Sequence, residues 1–260
     1  MTLETLWGSK IDQVIERLRA FEPPEGYYLA FSGGKDSQAI YHLAELAGVK
    51  YDAHYQVTTV DPPELLRFIR EHYPDVIWER PEKSMFRTIV DHGIPPTRIV
   101  RYCCQELKER GGDGRVVLTG VRWAESSRRR SRQMVEPCYT GSKRFVHGII
   151  DWTDDDVWSA HDALGLAHCE LYDQGHTRIG CVMCPMAGAK RQAQDALRWP
   201  RIARMYRQAI ARAWERRTER GDDLSWASAD EMYDWWVTGK RRAYEPDQMT
   251  FETVTDGVFV

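Results

Sequence analysis

The chain has 260 residues, 42% of them hydrophobic and 29% charged, with a net charge of −3. That composition excludes a disordered or fibrous chain and supplies enough apolar mass for a full hydrophobic core. The near-neutral charge excludes a generally basic nucleic-acid coat, and no run approaches the ~20 apolar residues of a membrane span.

Helical spacing of Ile11, Val14, Ile15 and Leu18 predicts a first helix, stopped by Glu22-Pro23-Pro24-Glu25-Gly26. Tyr27 to Phe31 reads as a buried strand. Ser32-Gly33-Gly34-Lys35-Asp36-Ser37 follows it, and then a helical run with Ile40, Leu43, Ala44 and Ala47 that Gly48 ends. Tyr51 to Val57 is a second strand. Pro62 and Pro63 open a helix with Leu65, Leu66, Phe68 and Ile69, and Val76 to Trp78 and Val116 to Gly120 read as two more strands. The alternation predicts an α/β fold, a doubly wound and mostly parallel sheet with right-handed crossovers.

Past residue 150 the pattern turns helical. Asp151 to Trp158 reads as a helix start with a Thr or Asp cap and acids in the first turn. Lys190 to Arg220 is a helical stretch with ten basic and three acidic residues, its apolar face formed by Ile202, Met205, Tyr206, Ala209, Ile210, Ala213 and Trp214. Asp222 to Val260 holds nine acidic and three basic residues. The two segments either neutralise each other or leave a basic face for a polyanion. Trp235 and Trp236 suggest an exposed or interfacial aromatic patch. The division expected is an α/β domain over 1–190 and a helical C-terminal extension over 191–260. The opening Met1 to Leu6 lacks the charged-then-apolar pattern of a signal peptide, so the expected location is the cytoplasm, without membrane contact.

A strand, a Gly-Gly turn and a helix form an anion-binding layout. Glycines permit the tight turn, and backbone N–H groups at the helix start face the anion. Lys35 adds a charge suited to phosphate. A carboxylate at Asp36 fits beside phosphate when Mg²⁺ bridges them. Ser32 to Ser37 resembles the PP-loop of the ATP pyrophosphatase superfamily. The resemblance implies an adenine nucleotide alpha-hydrolase-like fold, with Ser32, Gly33, Gly34, Lys35, Asp36 and Ser37 holding the pyrophosphate of ATP and Lys35 and Asp36 acting in catalysis. Thr119 to Arg128 resembles the TGxRxxES segment of the phosphoadenosine phosphosulfate (PAPS) reductase family. It implies that Gly120, Arg122, Glu125, Ser126 and Arg128 join the nucleotide site. There Arg122 and Arg128 would clamp phosphate or sulfate oxygens, Arg122 in a catalytic role, and Glu125 would hold an arginine or a metal. Ile149 to Trp158 is similar to a further stretch of that family, and its role is read as structural, with Trp152 and Trp158 packing a helix on the sheet.

The six cysteines are Cys103, Cys104, Cys138, Cys169, Cys181 and Cys184. An adjacent pair and a CxxC are compatible with a thiol redox pair, a zinc site or an iron–sulfur cluster. The segments Arg101 to Cys104 and Leu171 to Cys184 resemble the cluster region of assimilatory adenylylsulfate (APS) reductases. This implies that Cys103, Cys104, Cys181 and Cys184 ligate one [4Fe–4S] cluster, with Cys169 as the alternative to Cys103 and Cys138 as a plain thiol. The chain departs from those reductases in two ways. No cysteine follows Cys184, so the usual C-terminal nucleophile is missing, and the Ser-Gly-Gly-Lys-Asp-Ser loop is intact. Those features look more like the ATP pyrophosphatase component of DNA phosphorothioation systems, or a tRNA-type thiolation enzyme. The expected function is cleavage of ATP to AMP and pyrophosphate, which adenylates an acceptor, a nucleic acid, for sulfur from a donor protein. The alternatives are a sulfonucleotide reductase using Cys169, Cys138 or a partner's cysteine, and a non-catalytic nucleotide-sensing subunit.

Overall fold

The computed structural model describes residues 3–138 and 142–239. Helix α1 (Leu3–Ala20) buries Val14 and Leu18 and ends before Pro23. Strand β1 (Tyr27–Phe31) is almost wholly buried, as a central parallel strand must be. Helix α2 (Lys35–Ala47) starts directly at the Gly-Gly turn and ends at Gly48, whose φ of 67° closes it in the left-handed region. Then come β2 (Tyr51–Gln56), α3 (Pro63–His72) with proline at its first position, β3 (Ile77–Glu79), α4 (Met85–His92), α5 (Tyr102–Leu107) and β4 (Val116–Thr119). A one-turn helix α6 (Ser127–Arg130), strands β5 (Val135–Pro137) and β6 (Arg144–His147), and helix α7 (Asp154–Ala163) follow.

The strands form one sheet in the order β3-β2-β1-β4-β6-β5. All neighbours are parallel except β5, which runs antiparallel at the edge. The doubly wound, mostly parallel α/β fold expected from sequence is therefore present. The chain winds outward from β1 through β2 to β3, then returns to place β4 on the other side of β1. A crevice opens at such a switch point, at the carboxyl ends of the two diverging strands. Ser32 follows β1 there and Gly120 follows β4.

The chain divides into two compact units, one comprising Met1–Thr88 with Val100–Val182, the other Ile89–Ile99 with Met183–Val260. The second unit therefore starts at Met183 and also takes in a segment upstream, where the sequence reading placed one boundary after residue 190. Its basic stretch is two helices, α8 (Ala189–Arg198) and α9 (Pro200–Glu219), because Pro200 has no N–H to continue a helix. Helix α10 (Ala229–Thr238) packs on α9, with the Trp236 and Tyr206 rings 4.8 Å apart. Two expectations change here. Met205 is 46% exposed instead of joining the apolar face. Trp236 is buried and donates to the Pro96 carbonyl at 2.7 Å, while half-buried Trp235 lies 4.7 Å from Trp226, so neither forms an open aromatic patch. Acidic residues after 221 do pair with the basic helix, as in Arg207–Asp230 and Arg217–Asp222. The acidic tail beyond Gly239 lies outside the described residues.

Candidate nucleotide site

The loop between β1 and α2 is braced from inside. The Ser37 hydroxyl accepts the Ser32 N–H at 3.1 Å and donates to the Gly34 carbonyl at 2.9 Å. Its proton is thus already used, and Ser37 shapes the loop where the sequence reading gave it to the anion. Gly33 has φ 71°, and a Cβ there would meet Ile69 at 2.7 Å. Gly120, at the exit of β4, runs so close to α2 that a Cβ would lie 2.5 Å from the Asp36 carbonyl oxygen. Thr119, just before it, is fixed by His147, whose Nδ1 lies 2.6 Å from the Thr119 hydroxyl and whose Nε2 lies 3.3 Å from Glu136. Burial holds His147 below the ordinary histidine range, against the pull of Glu136.

Four charges meet over this loop. Arg122 is 1% exposed; it donates from Nε to Asp36 at 2.7 Å, from Nη2 to Asp154 at 2.7 Å and from Nη1 to the Trp152 carbonyl at 3.2 Å. Lys35 Nζ reaches Asp154 at 2.9 Å and Asp36 at 3.3 Å. A buried guanidinium is stable only with such partners. Burial works against the Arg122 charge, but Asp36 and Asp154 outweigh it and raise its pKa. The hydrogen bond from Lys35, then that from Arg122, holds the Asp154 carboxyl below the usual range.

Asp154 arrives here because α7 is capped by its neighbours. Thr153 accepts the Asp156 N–H at 3.1 Å, and Asp156 accepts the Thr153 N–H at 2.8 Å. With that pair fixing the first turn, Asp154 is left to face Lys35. The stretch read as purely structural therefore delivers a charged group to the site, although Trp152 is indeed buried.

Glu125 holds arginines: it accepts the Arg122 N–H at 3.1 Å and pairs with Arg129. Ser126 caps α6 by accepting the Arg129 N–H at 3.2 Å. Of the arginine run, Arg129 is the one turned inward. Burial first, and then nearby Arg178, depress its pKa. Arg128, expected to clamp the anion, is exposed. The residues that sequence reasoning missed are thus Asp154, Arg129, His147, His161 and Tyr172. His161 donates from Nε2 to the Lys35 carbonyl at 2.8 Å, and its buried Nδ1 has no partner among the described residues, which fits the neutral tautomer with the proton on Nε2. Tyr172 accepts the Lys35 N–H at 2.9 Å.

Cys103 and Cys104 lie on α5, where the hydrogen bond from Cys103 and the guanidinium of Arg101, 3.4 Å away, draw the Cys104 thiol well below its usual range. A stabilised thiolate suits a soft metal. Cys181 lies 3.5 Å from the Thr58 hydroxyl in the first unit, and Cys184 precedes a short turn (Pro185–Ala187) in the second. Among the described residues no group of three or more His, Cys, Asp or Glu side chains is gathered as a metal site. Cys169 is fully buried and burial raises its thiol pKa, which removes it as an accessible nucleophile.

A sequence profile described as the phosphoadenosine phosphosulfate reductase domain matches residues 26–187. The chain belongs to that family. Among the relatives of this PAPS reductase family member are an uncharacterized protein of Methanocaldococcus jannaschii, 29% identical over 61% of this chain and 41% of its own length, and an adenosine 5'-phosphosulfate reductase of Oceanobacillus iheyensis, 24% identical over 60% and 67%. A probable FAD synthase of Caenorhabditis elegans is 27% identical over 66% of this chain and 32% of its own. The chain spans about two fifths of the length of the first curated relatives it matches. Among solved structures, the FMN adenylyltransferase of Candida glabrata with FAD and inorganic pyrophosphate has the same fold, with a TM-score of 0.50 and 15% identity over 69% of this chain and 64% of that one. Among the described residues no helix is long and apolar enough to cross a membrane.

Proposed function

We propose that this PAPS reductase family member cleaves ATP between the α- and β-phosphates, transferring AMP to an acceptor and releasing pyrophosphate. One observation carries the reading: the complete Ser32–Ser37 loop at the sheet's switch point, with Lys35 and Arg122 held over it. The acceptor oxygen attacks the α-phosphorus, the bond to the bridging oxygen breaks, and pyrophosphate leaves with the charge. Lys35, Arg122 and the free amides at the start of α2 stabilise that charge without reorganising. Asp36 and Asp154 are hard oxygen donors that would hold Mg²⁺ beside the phosphates, where it supplies Lewis-acid stabilisation. The similarity to a probable FAD synthase supports adenylyl transfer. For the acceptor we propose a nucleic acid. Arg201, Arg204 and Arg212 on α9 are exposed and make no ion pair among the described residues, as a phosphate-tracking face requires. A sulfur-donor protein and a [4Fe–4S] cluster on Cys103, Cys104, Cys181 and Cys184 complete the proposal, in a reducing cytoplasm where these cysteines form no disulfides. No step above depends on the cluster.

The test is Lys35→Ala, with AMP and pyrophosphate measured together. Turnover is expected to fall by about 100-fold or more; unchanged AMP formation would sink the loop assignment. The same anaerobic preparation, assayed for iron and acid-labile sulfide, should hold about four irons per chain if the cluster is bound. The matches to APS reductases favour a second reading, sulfonucleotide reduction. Sulfite released from APS or PAPS with a thiol reductant, without AMP formation from ATP, would establish it. With Cys169 buried, the nucleophile would then be Cys138 or a partner's cysteine.

A further inference from the structure

Gly34 precedes helix α2 at the cap position and has no side chain to cap it, so the first helical N–H groups need outside acceptors. The Lys35 N–H has one, the Tyr172 hydroxyl at 2.9 Å. That oxygen comes from a distant segment, and it stands over the loop: a Cβ on Gly34 would lie 3.3 Å from it. The ring is not loosely placed. Trp158 meets it edge-on at 5.1 Å, and its chain neighbours Cys169 and Leu171 are fully buried. The local backbone closes on itself through Tyr172 N–H to the Cys169 carbonyl at 2.9 Å and His176 N–H to the Leu171 carbonyl at 3.1 Å. Among the described residues no acceptor takes the hydroxyl's own proton, and burial keeps that proton on the oxygen.

We propose that Tyr172 is a phosphate-binding residue: while accepting the Lys35 N–H, its hydroxyl donates its own proton to an oxygen of the anion held in the Ser32–Ser37 loop. This rests on the nucleotide reading above and adds to it a donor from outside both family motifs of the site. A donor that is itself accepting a hydrogen bond is polarised and donates more strongly, and an ionised acceptor strengthens the bond further. The ligand class is the pyrophosphate group, free or as part of a nucleoside triphosphate.

The test compares wild type with Tyr172→Phe, which keeps the ring and its packing on Trp158. Inorganic pyrophosphate with Mg²⁺ is titrated by calorimetry, and melting is followed with and without it. The expected result is affinity about 10-fold weaker in Y172F, a ligand-free melt close to wild type and a smaller pyrophosphate-induced rise in Tm. Equal or tighter binding by Y172F overturns the proposal, since the hydroxyl would then be a stand-in that the ligand displaces; the loop reading would survive. Wild type that binds no pyrophosphate overturns both.

Discussion

Asp154 shows how much one carboxylate does at this site: it is the shared partner of a buried Arg122 and of Lys35. Its folded pKa lies below the ordinary aspartate value of 3.8, so its contribution to stability is present above that pH and lost as pH falls through the folded value. Its side chain is 69% exposed, which screens the pair. Asp154→Asn should therefore cost about 1 kcal/mol or less at pH 7, with the difference from wild type in urea melts shrinking as pH falls below 3.8. Its larger effect should fall on the proposed ATP turnover, since Lys35 and Arg122 lose a shared partner. His161 has the opposite interest, being a base kept neutral. Burial lowers its folded pKa below the ordinary 6.5, so the unfolded chain takes the proton first. Stability is fully present above pH 6.5 and lost as pH falls from there through the folded value; His147 acts with the same sign. His161→Gln keeps a donor for the Lys35 carbonyl and removes the titration. Its Tm should fall less than that of wild type between pH 7 and pH 5, and an equal fall would exonerate His161.

The β4 exit and the start of α2 are two elements held at backbone contact by Gly120. Gly120→Ala puts a methyl group 2.5 Å from the Asp36 carbonyl oxygen, a backbone atom that cannot swing aside. Overpacking of that kind costs about 1–3 kcal/mol, and the displaced α2 would carry Lys35 and Asp36 with it. Both Tm and ATP turnover should drop; a variant with wild-type values of both would mean the two elements can separate freely. Elements of this length were legible in the sequence. β1, α2, β2, α3 and β4 announce themselves through apolar runs and Gly or Pro stops, and so the switch point and its loop followed. β5 and β6 were not, because Val-Glu-Pro and Arg-Phe-Val-His hold too few apolar residues to show a run or a period. The same limit hid half of the site. Asp154 is one acid among three in a helix start, and the local pattern cannot separate the capping Asp156 from the site-facing Asp154. In Arg128-Arg129-Arg130 a single helical turn decides which arginine faces inward, and four residues are too few to reveal a face. Tyr172 lies in the Leu171 to Cys184 stretch read for its cysteines, and nothing there signals a nucleotide role, since its partner is an amide far away in sequence.

At the scale of the molecule, the sheet that builds this site is open among the described residues and has two margins there. One is β3, three residues with Ile77 46% exposed; the other is β5, also three residues, antiparallel to its neighbour and ending in Pro137. An open margin is a template on which a foreign strand can add, and the hazard grows with its length. Neither margin offers more than a few donors and acceptors, and Pro137 has no N–H to give. The two longest strands, β1 and β2, both lie inside the sheet, protected by neighbours. The single reversed strand thus has a use unrelated to the nucleotide: it shields β6 and, with β3, leaves the described sheet without a long edge along which chains could zip into fibres.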